Sequence, residues 1–251
     1  MRTLVKTPKE IIAIRQSGKI LADILSKLEK LTLPGITTKE LDMVARNELE
    51  KYGAKAAFLG YNGFPASICI SINNEVVHGI PSNRVIQTGD LVGLDFGVLY
   101  DGMITDSAIT VPVGKISSDA QRLLDYTNNA LTAGIATIKD GVKVGDIGAA
   151  IDKELSLGRL KVIESLGGHG VGHVVHEDPI ILNFGRPGTG DKLVAGMTIA
   201  LEPIASLSTH EVELAKDNWT YMTVDNSLSA QFEHTILITE SGSEVLTERA
   251  L

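Results

Sequence analysis

The stretch from Leu91 to Val111, LVGLDFGVLYDGMITDSAITV, limits the folds open to this chain more than any other. Its flanks alternate between aliphatic and other residues, the period of a strand, and Tyr100-Asp101-Gly102 between them is turn chemistry. A two-residue turn at Asp101-Gly102 pairs Tyr100 with Met103 and Asp95 with Ala108. Asp106 then stands diagonally across from Asp95 on one face. Diagonal neighbours lie ~7–8 Å apart, so two carboxylates can converge on a cation. A longer loop would change this parity. Taken alone, the two acids read as a solvated sheet face or a pair of turn caps. On an apolar inner face they need a partner.

The segments before the hairpin are helical. Thr7-Pro8-Lys9-Glu10 is a capping box with proline at the first helical position, and apolar residues follow at helical spacing to Leu31. Leu33-Pro34-Gly35 stops that helix. Thr37 to Glu40 opens a second, which ends at Gly53. Their apolar stripes are core surfaces. A glycine- and aromatic-containing loop, FLGYNGFP, follows from Phe58, and Ile68, Ile70 and Ile72 alternate as a strand towards His78-Gly79-Ile80-Pro81.

After the hairpin the order recurs. Ser118 to Gln121 reads as a third capping box, Asp140-Gly141 breaks the helix it opens, and Asp146-Ile147 leads into a shorter one. Setting Gly35 against Gly141 aligns Glu40 with Asp146, which suggests two similar α+β halves related by an approximate two-fold. The run GGHGVGHVVHEDP from Gly167 to Pro179 is too glycine-rich for a helix. It reads as a loop presenting His169, His173 and His176, with His173 the weakest candidate ligand. Met197 to Pro203 reads as a strand carrying Glu202. Trp219–Val224 and Ser229–Ile238, either side of Asp225-Asn226-Ser227, read as a hairpin carrying Glu233.

At 251 residues the chain is long enough to bury a core, and no linker interrupts it, so it reads as one catalytic domain, 1–251. One cysteine, Cys69, excludes an internal disulfide and fits a reducing compartment. A net charge of −8 opposes direct nucleic-acid binding, and no stretch approaches the length of a membrane span. The expectation is a soluble, cytoplasmic protein. Asp95, Asp106, Glu202 and Glu233 would repel one another in a low dielectric unless divalent cations joined them. Oxygen-rich ligation with one imidazole, His169, suits Mn, Fe, Co or Zn in a paired site, which can hold a hydroxide nucleophile and polarise a carbonyl.

Together, HGIP at His78, the Asp95–Asp106 pair, GHGVG at His169, HEDP at His176, LEP at Glu202 and SAQFEHT at Glu233 resemble the type I methionine aminopeptidases. The likeness runs from Lys6-Thr7-Pro8 to Leu246-Thr247. It implies the α+β pita-bread fold, two halves about a central antiparallel sheet. It also implies that Asp95, Asp106, His169, Glu202 and Glu233 bind two divalent metal ions. Of the catalytic set His78, His176 and Glu202, the two histidines would contact the peptide and support the transition state. Tyr61, Phe64 and Trp219 match positions lining the methionine pocket, though they are also ordinary loop and strand aromatics.

The implied activity is removal of N-terminal methionine from nascent polypeptides near the ribosome, by a monomer, when the second residue is small. The short stretch between His169 and Glu202 has no room for the type II insertion, and the chain resembles the short bacterial form. Phe58 and Val77 stand where family members often carry cysteine, which bears on pocket shape. A related Xaa-Pro-type aminopeptidase, or a non-catalytic pita-bread binding protein, is the alternative.

Overall fold

Side-chain caps set where the first helices begin. In the computed structural model, which describes residues 5–249, the Thr7 and Thr37 hydroxyls accept from the Glu10 and Glu40 backbone N–H groups, and both glutamates reach back to the cap backbone. Helices α1 (Pro8–Leu31) and α2 (Thr38–Tyr52) follow, the latter closed by Gly53 at φ 64°. After them come strands β1 (Lys55–Ala56), β2 (Cys69–Ile72), β3 (Glu75–Val77), β4 (Leu91–Tyr100) and β5 (Met103–Pro112). The second half opens with α3 (Ser118–Thr137) and α4 (Val144–Leu157). It continues through β6 (Lys161–Val162), β7 (Gly167–Gly170), β8 (Glu177–Leu182), β9 (Thr198–Leu201) and β10 (Ile204–Ser206). Strands β11 (Val212–Leu214), β12 (Tyr221–Thr223), β13 (Ser229–Gln231), β14 (His234–Ile238) and β15 (Ser243–Val245) complete it.

The β4–β5 hairpin has the register that its turn dictates. Tyr100 faces Met103, Asp95 faces Ala108 and Gly97 faces Asp106, so the two aspartates are diagonal neighbours. Asp101 and Gly102 both take positive φ, 45° and 79°, as a type I′ turn requires. Strands β1 and β2 pair end to end along one edge of β4, and β5 covers the other.

The internal repeat is real at the level of backbone hydrogen bonds. Gly35 N–H donates to Ile86 O and Gly141 N–H to Leu193 O, each at 2.9 Å. Ile86 and Leu193 donate back to Ile36 and Val142 at 2.8 Å. Antiparallel bridges Thr37–Val85 and Lys143–Lys192 complete the match. Each half packs its helix pair on its own strands. One core joins Leu21, Leu25 and Leu28 of α1 to Leu94 and Phe96 of β4; the other joins Leu123, Ile147 and Ile151 to Ile199 and Ile236.

Three expectations need correction. The cap of α3 is Ser117, whose hydroxyl accepts from Ala120 N–H; Ser118 is already helical, and the Gln121 amide bonds Asp125 instead. Helix α4 begins at Val144, with the Asp146 carboxylate accepting from Lys143 N–H. The segments either side of Asp225 do not pair with each other: β12 pairs with β11 and β3, and β13 with β10. The strands are antiparallel throughout, as expected, and are distributed over short sheets. The division matters because β9 and β14 pair in a five-stranded sheet, whereas their continuations β10 and β13 pair in a three-stranded one. Glu202-Pro203 and Phe232-Glu233 are the facing breaks where both chains change sheets. A proline with no N–H to donate suits such a break.

Candidate metal centre

Five acidic and imidazole side chains from both halves meet where β5 adjoins β13 and β14. The seam is stitched by hydroxyls. Thr235 Oγ1 accepts from Asp106 N–H at 2.8 Å and donates to Asp106 O at 2.7 Å. Thr110 Oγ1 treats Gln231 the same way, at 3.0 and 2.9 Å. Ser107 donates to Glu233 O at 2.6 Å, and Glu233 N–H donates to Ala108 O at 2.8 Å. Asp106 on β5 and Glu233 at the β13–β14 break are thereby held side by side. Glu233 was expected within a strand; its position at a break turns its side chain away from simple alternation.

His169 was expected in a loop, but it lies on β7, between β8 and β9. The neighbouring glycines serve close strand approach. A Cβ on Gly168 would stand 2.3 Å from Ala200 O, and one on Gly170 2.3 Å from Asp178 O. His169 Nδ1 lies 2.9 Å from Gly170 O. A carbonyl only accepts, so Nδ1 carries the proton and Nε2 keeps its lone pair for a ligand. Burial and the neighbouring His176 push its pKa down to about 4, so the ring is neutral. One ligand atom each from Asp106, His169 and Glu233 lies within 4.8 Å of the others. Asp95 is the diagonal partner of Asp106, and Glu202 Oε1 is 3.6 Å from His169 Nε2.

All four carboxylates are buried. Asp95 Oδ1, Asp106 Oδ1 and Glu233 Oε1 accept no hydrogen bond from the protein. Burial first, then mutual repulsion, holds Asp95, Glu202 and Glu233 well above the usual carboxylate range, and burial pushes Asp106 up to about 7. Such a group of uncompensated acids is costly in an interior. Hard oxygen donors beside a neutral imidazole fit divalent cations, which remove that cost.

A cavity of about 150 Å³ opens on the cluster. Tyr61, Phe64 and Trp219 form its apolar wall, with Phe64 and Trp219 edge to face at 5.2 Å. His78 and His176 line it as well. His78 sits at φ 60°, a strained position for a residue with a side chain. Its neighbour Gly79 packs closely on β2, accepting from Ile70 N–H at 2.8 Å, and a Cβ there would be 2.2 Å from Ile70 O. Tyr61 OH is 2.8 Å from His176 Nδ1, and the His176 ring stands 4.3 Å from that of His169. His173 points away, bonded to Glu10 at 2.8 Å. The five candidate ligands, His78, His176 and the three pocket aromatics therefore border one space, whereas His173 and Val77 do not.

Sequence reasoning passed over the residues that hold Glu202. Gln231 Nε2 donates to Glu202 Oε2, and Asn183 Nδ2 to Glu202 O, both at 2.9 Å. It also gave no role to Cys69, the register partner of Asp95 on β2, which lines the cavity. Gln231, two residues before Glu233 in the SAQFEHT motif, was the one available signal; Asn183 and Cys69 gain their roles only by tertiary placement.

Two equivalent α+β halves closing on a buried carboxylate–imidazole cluster define a metal-dependent hydrolase. Residues 12–240 match metallopeptidase family M24, and the chain belongs to that family. Its relatives are methionine aminopeptidases. Methionine aminopeptidase 1 of Bacillus subtilis is 43% identical, over 97% of this chain and 98% of that protein. The structure of methionine aminopeptidase from Thermotoga maritima superposes with a TM-score of 0.96 at 41% identity, covering 98% of this chain and 99% of that one. An Xaa-Pro dipeptidase from Bacillus anthracis shares the fold, with a TM-score of 0.79 at 23% identity, over 99% of this chain and 63% of that one.

Proposed function

We propose that this chain is a type I methionine aminopeptidase, a single catalytic domain that removes N-terminal methionine from nascent polypeptides when the second residue is small. The observation that carries the reading is the buried acid cluster with its partnerless oxygens, set beside an apolar pocket and two neutral histidines. Asp95, Asp106, His169, Glu202 and Glu233 would hold two divalent cations drawn from Co, Mn, Fe or Zn. When bound, such ions supply a nucleophile from water at neutral pH and polarise the scissile carbonyl.

The remaining chemistry belongs to side chains. Tyr61, Phe64 and Trp219 offer the polarizable thioether of methionine a pocket of aromatic faces and edges. Burial pushes the pKa of His78 down to about 4 and that of His176 below its ordinary value. Both rings are therefore neutral at pH 7, and each has one N–H to donate. Tyr61 occupies His176 Nδ1, which leaves Nε2 to bond the carbonyl oxygen as it gains charge. His78 faces the scissile amide. Glu202, held at Oε2 by Gln231, would offer Oε1 to a cation and, with that cation bound, to a proton passing to the leaving amine. The work is done by a monomer in the cytoplasm, close to the ribosome, where new N-termini emerge.

The test compares Met-Gly-Met-Met with a peptide bearing proline second and with one whose methionine is internal, under Fe(II), Mn or Co. Release of methionine from the first alone supports the reading. Preferential cleavage before proline would transfer the chain to the Xaa-Pro enzymes. No cleavage of any peptide with metal bound would mark a binding protein.

A further inference from the structure

A second depression adjoins the cavity, and its floor has no part in the chemistry above. Strand β8 sets Ile180 opposite His169 and Leu182 opposite Gly167. Residues two apart share a sheet face, so Ile180 and Leu182 lie on the side to which His169 points. The other side, at Gly168 and Ile181, is buried. Ile180 is nevertheless 67% exposed and Leu182 37%. Single exposed aliphatics are ordinary; two in register beside a buried reactive cluster are not. His169 and His176 border both this depression and the aminopeptidase cavity, so the two spaces adjoin through those rings. Gly167, opposite Leu182, adds no side chain to the floor of the shelf.

We propose that this shelf binds the substrate chain downstream of the scissile bond and ranks peptides by the side chains of their third and fifth residues. The proposal rests on the aminopeptidase reading. A peptide whose first residue fills the aromatic pocket must leave the cavity, and the shelf continues from His169, beside the reacting bond. An extended peptide advances ~3.3 Å per residue. Ile180 stands ~5 Å from its cross-strand partner, and Leu182 lies ~7 Å further along β8. Alternate side chains of an extended peptide share a face, so the third residue reaches Ile180 and the fifth reaches Leu182. Apolar side chains there would cover surface that is otherwise exposed to water.

The experiment measures kcat/KM for the hexapeptides Met-Ala-Gly-Gly-Gly-Gly and Met-Ala-Leu-Gly-Leu-Gly with the metal-loaded wild type and the Ile180→Ser/Leu182→Ser double variant. Both positions are exposed, so the variant keeps the core intact. The wild type should favour the leucine peptide by about tenfold, mostly through KM. The variant should lose that preference while cleaving the glycine peptide as the wild type does. A wild type without preference, a preference that survives in the variant, or an equal loss on both peptides would overturn the proposal. If the wild type failed to cleave the glycine peptide, the aminopeptidase reading itself would fall, and the shelf assignment with it.

Discussion

The hydroxyl of Thr235 holds both backbone polar groups of Asp106, accepting from its N–H at 2.8 Å and donating to its carbonyl at 2.7 Å. This contact crosses the seam between the two halves, so the position of a cluster aspartate on β5 depends on a threonine far away in sequence. Thr235→Val keeps the side-chain shape but leaves a buried donor and acceptor unpaired. The cost should be about 2–4 kcal/mol, read from the urea midpoint. Thr235→Ser should recover most of it. Equal stability of the valine and serine variants would show that the hydroxyl contributes nothing.

Asp106 is central to the electrostatics of the cluster, since it appears among the charges raising the pKa of Asp95, Glu202 and Glu233. Asp106→Asn should abolish most aminopeptidase activity and lower the divalent metal retained after dialysis, as measured by elemental analysis. Full activity with unchanged metal content would remove Asp106 from the ligand set.

His176 is bonded to Tyr61 rather than aimed into the acids. An interaction that strengthens as charge develops on the carbonyl oxygen acts on kcat and leaves ground-state binding nearly unchanged. His176→Ala should retain its metal and keep KM within a few-fold, while kcat falls by roughly 10²–10³. His78→Ala should behave alike. Tyr61→Phe frees the His176 ring and should lower kcat less than His176→Ala does. Loss of metal in parallel with activity in either histidine variant would make that residue a ligand.

Metal removal should change the dependence of stability on pH. In chelator, burial keeps Asp95, Glu202 and Glu233 protonated in the folded state well above the usual carboxylate range, whereas the unfolded chain releases those protons near pH ~4. Above pH ~4 the unfolded state therefore binds fewer protons, and these groups lower stability as pH rises. Three buried histidines act the other way. His78, His169 and His234 are pushed down to about 4, so they add stability as pH rises, but only up to the unfolded value of ~6.5. Between pH 7 and 8 the histidines add nothing further, and the raised acids, with the buried Cys69 thiol that burial also raises, are the groups that lower stability. The urea midpoint of the chelated protein should fall across that interval, and saturating Mn should abolish the fall. A midpoint that rises in chelator would contradict the burial argument.

How much could be read without the fold follows from the range of the interactions involved. The Asp101-Gly102 turn and the alternation around it determined the register of β4 and β5, and with it the diagonal placement of Asp95 and Asp106, because turn geometry and side-chain parity are local. The Thr7 and Thr37 caps were legible for the same reason. The Gly35–Gly141 repeat announced two halves, since equivalent turns need equivalent residues. Where two local solutions compete, as between Ser117 and Ser118 at the start of α3, sequence alone chose the wrong cap.

Only the tertiary structure decided that β12 joins β11 and β3, that His169 rides a strand, and that Glu202 and Glu233 sit at facing breaks between sheets. Strand pairing is a contest among distant partners, and local periodicity does not report which one wins. The glycines around His169 mark a close approach, yet nothing in their spacing says that the approaching chain is β9. The cluster is built at the seam of two halves, by hydroxyls of Thr110 and Thr235 that bond chain segments far apart in sequence. Its residues could be named from their types and order; their convergence required the fold.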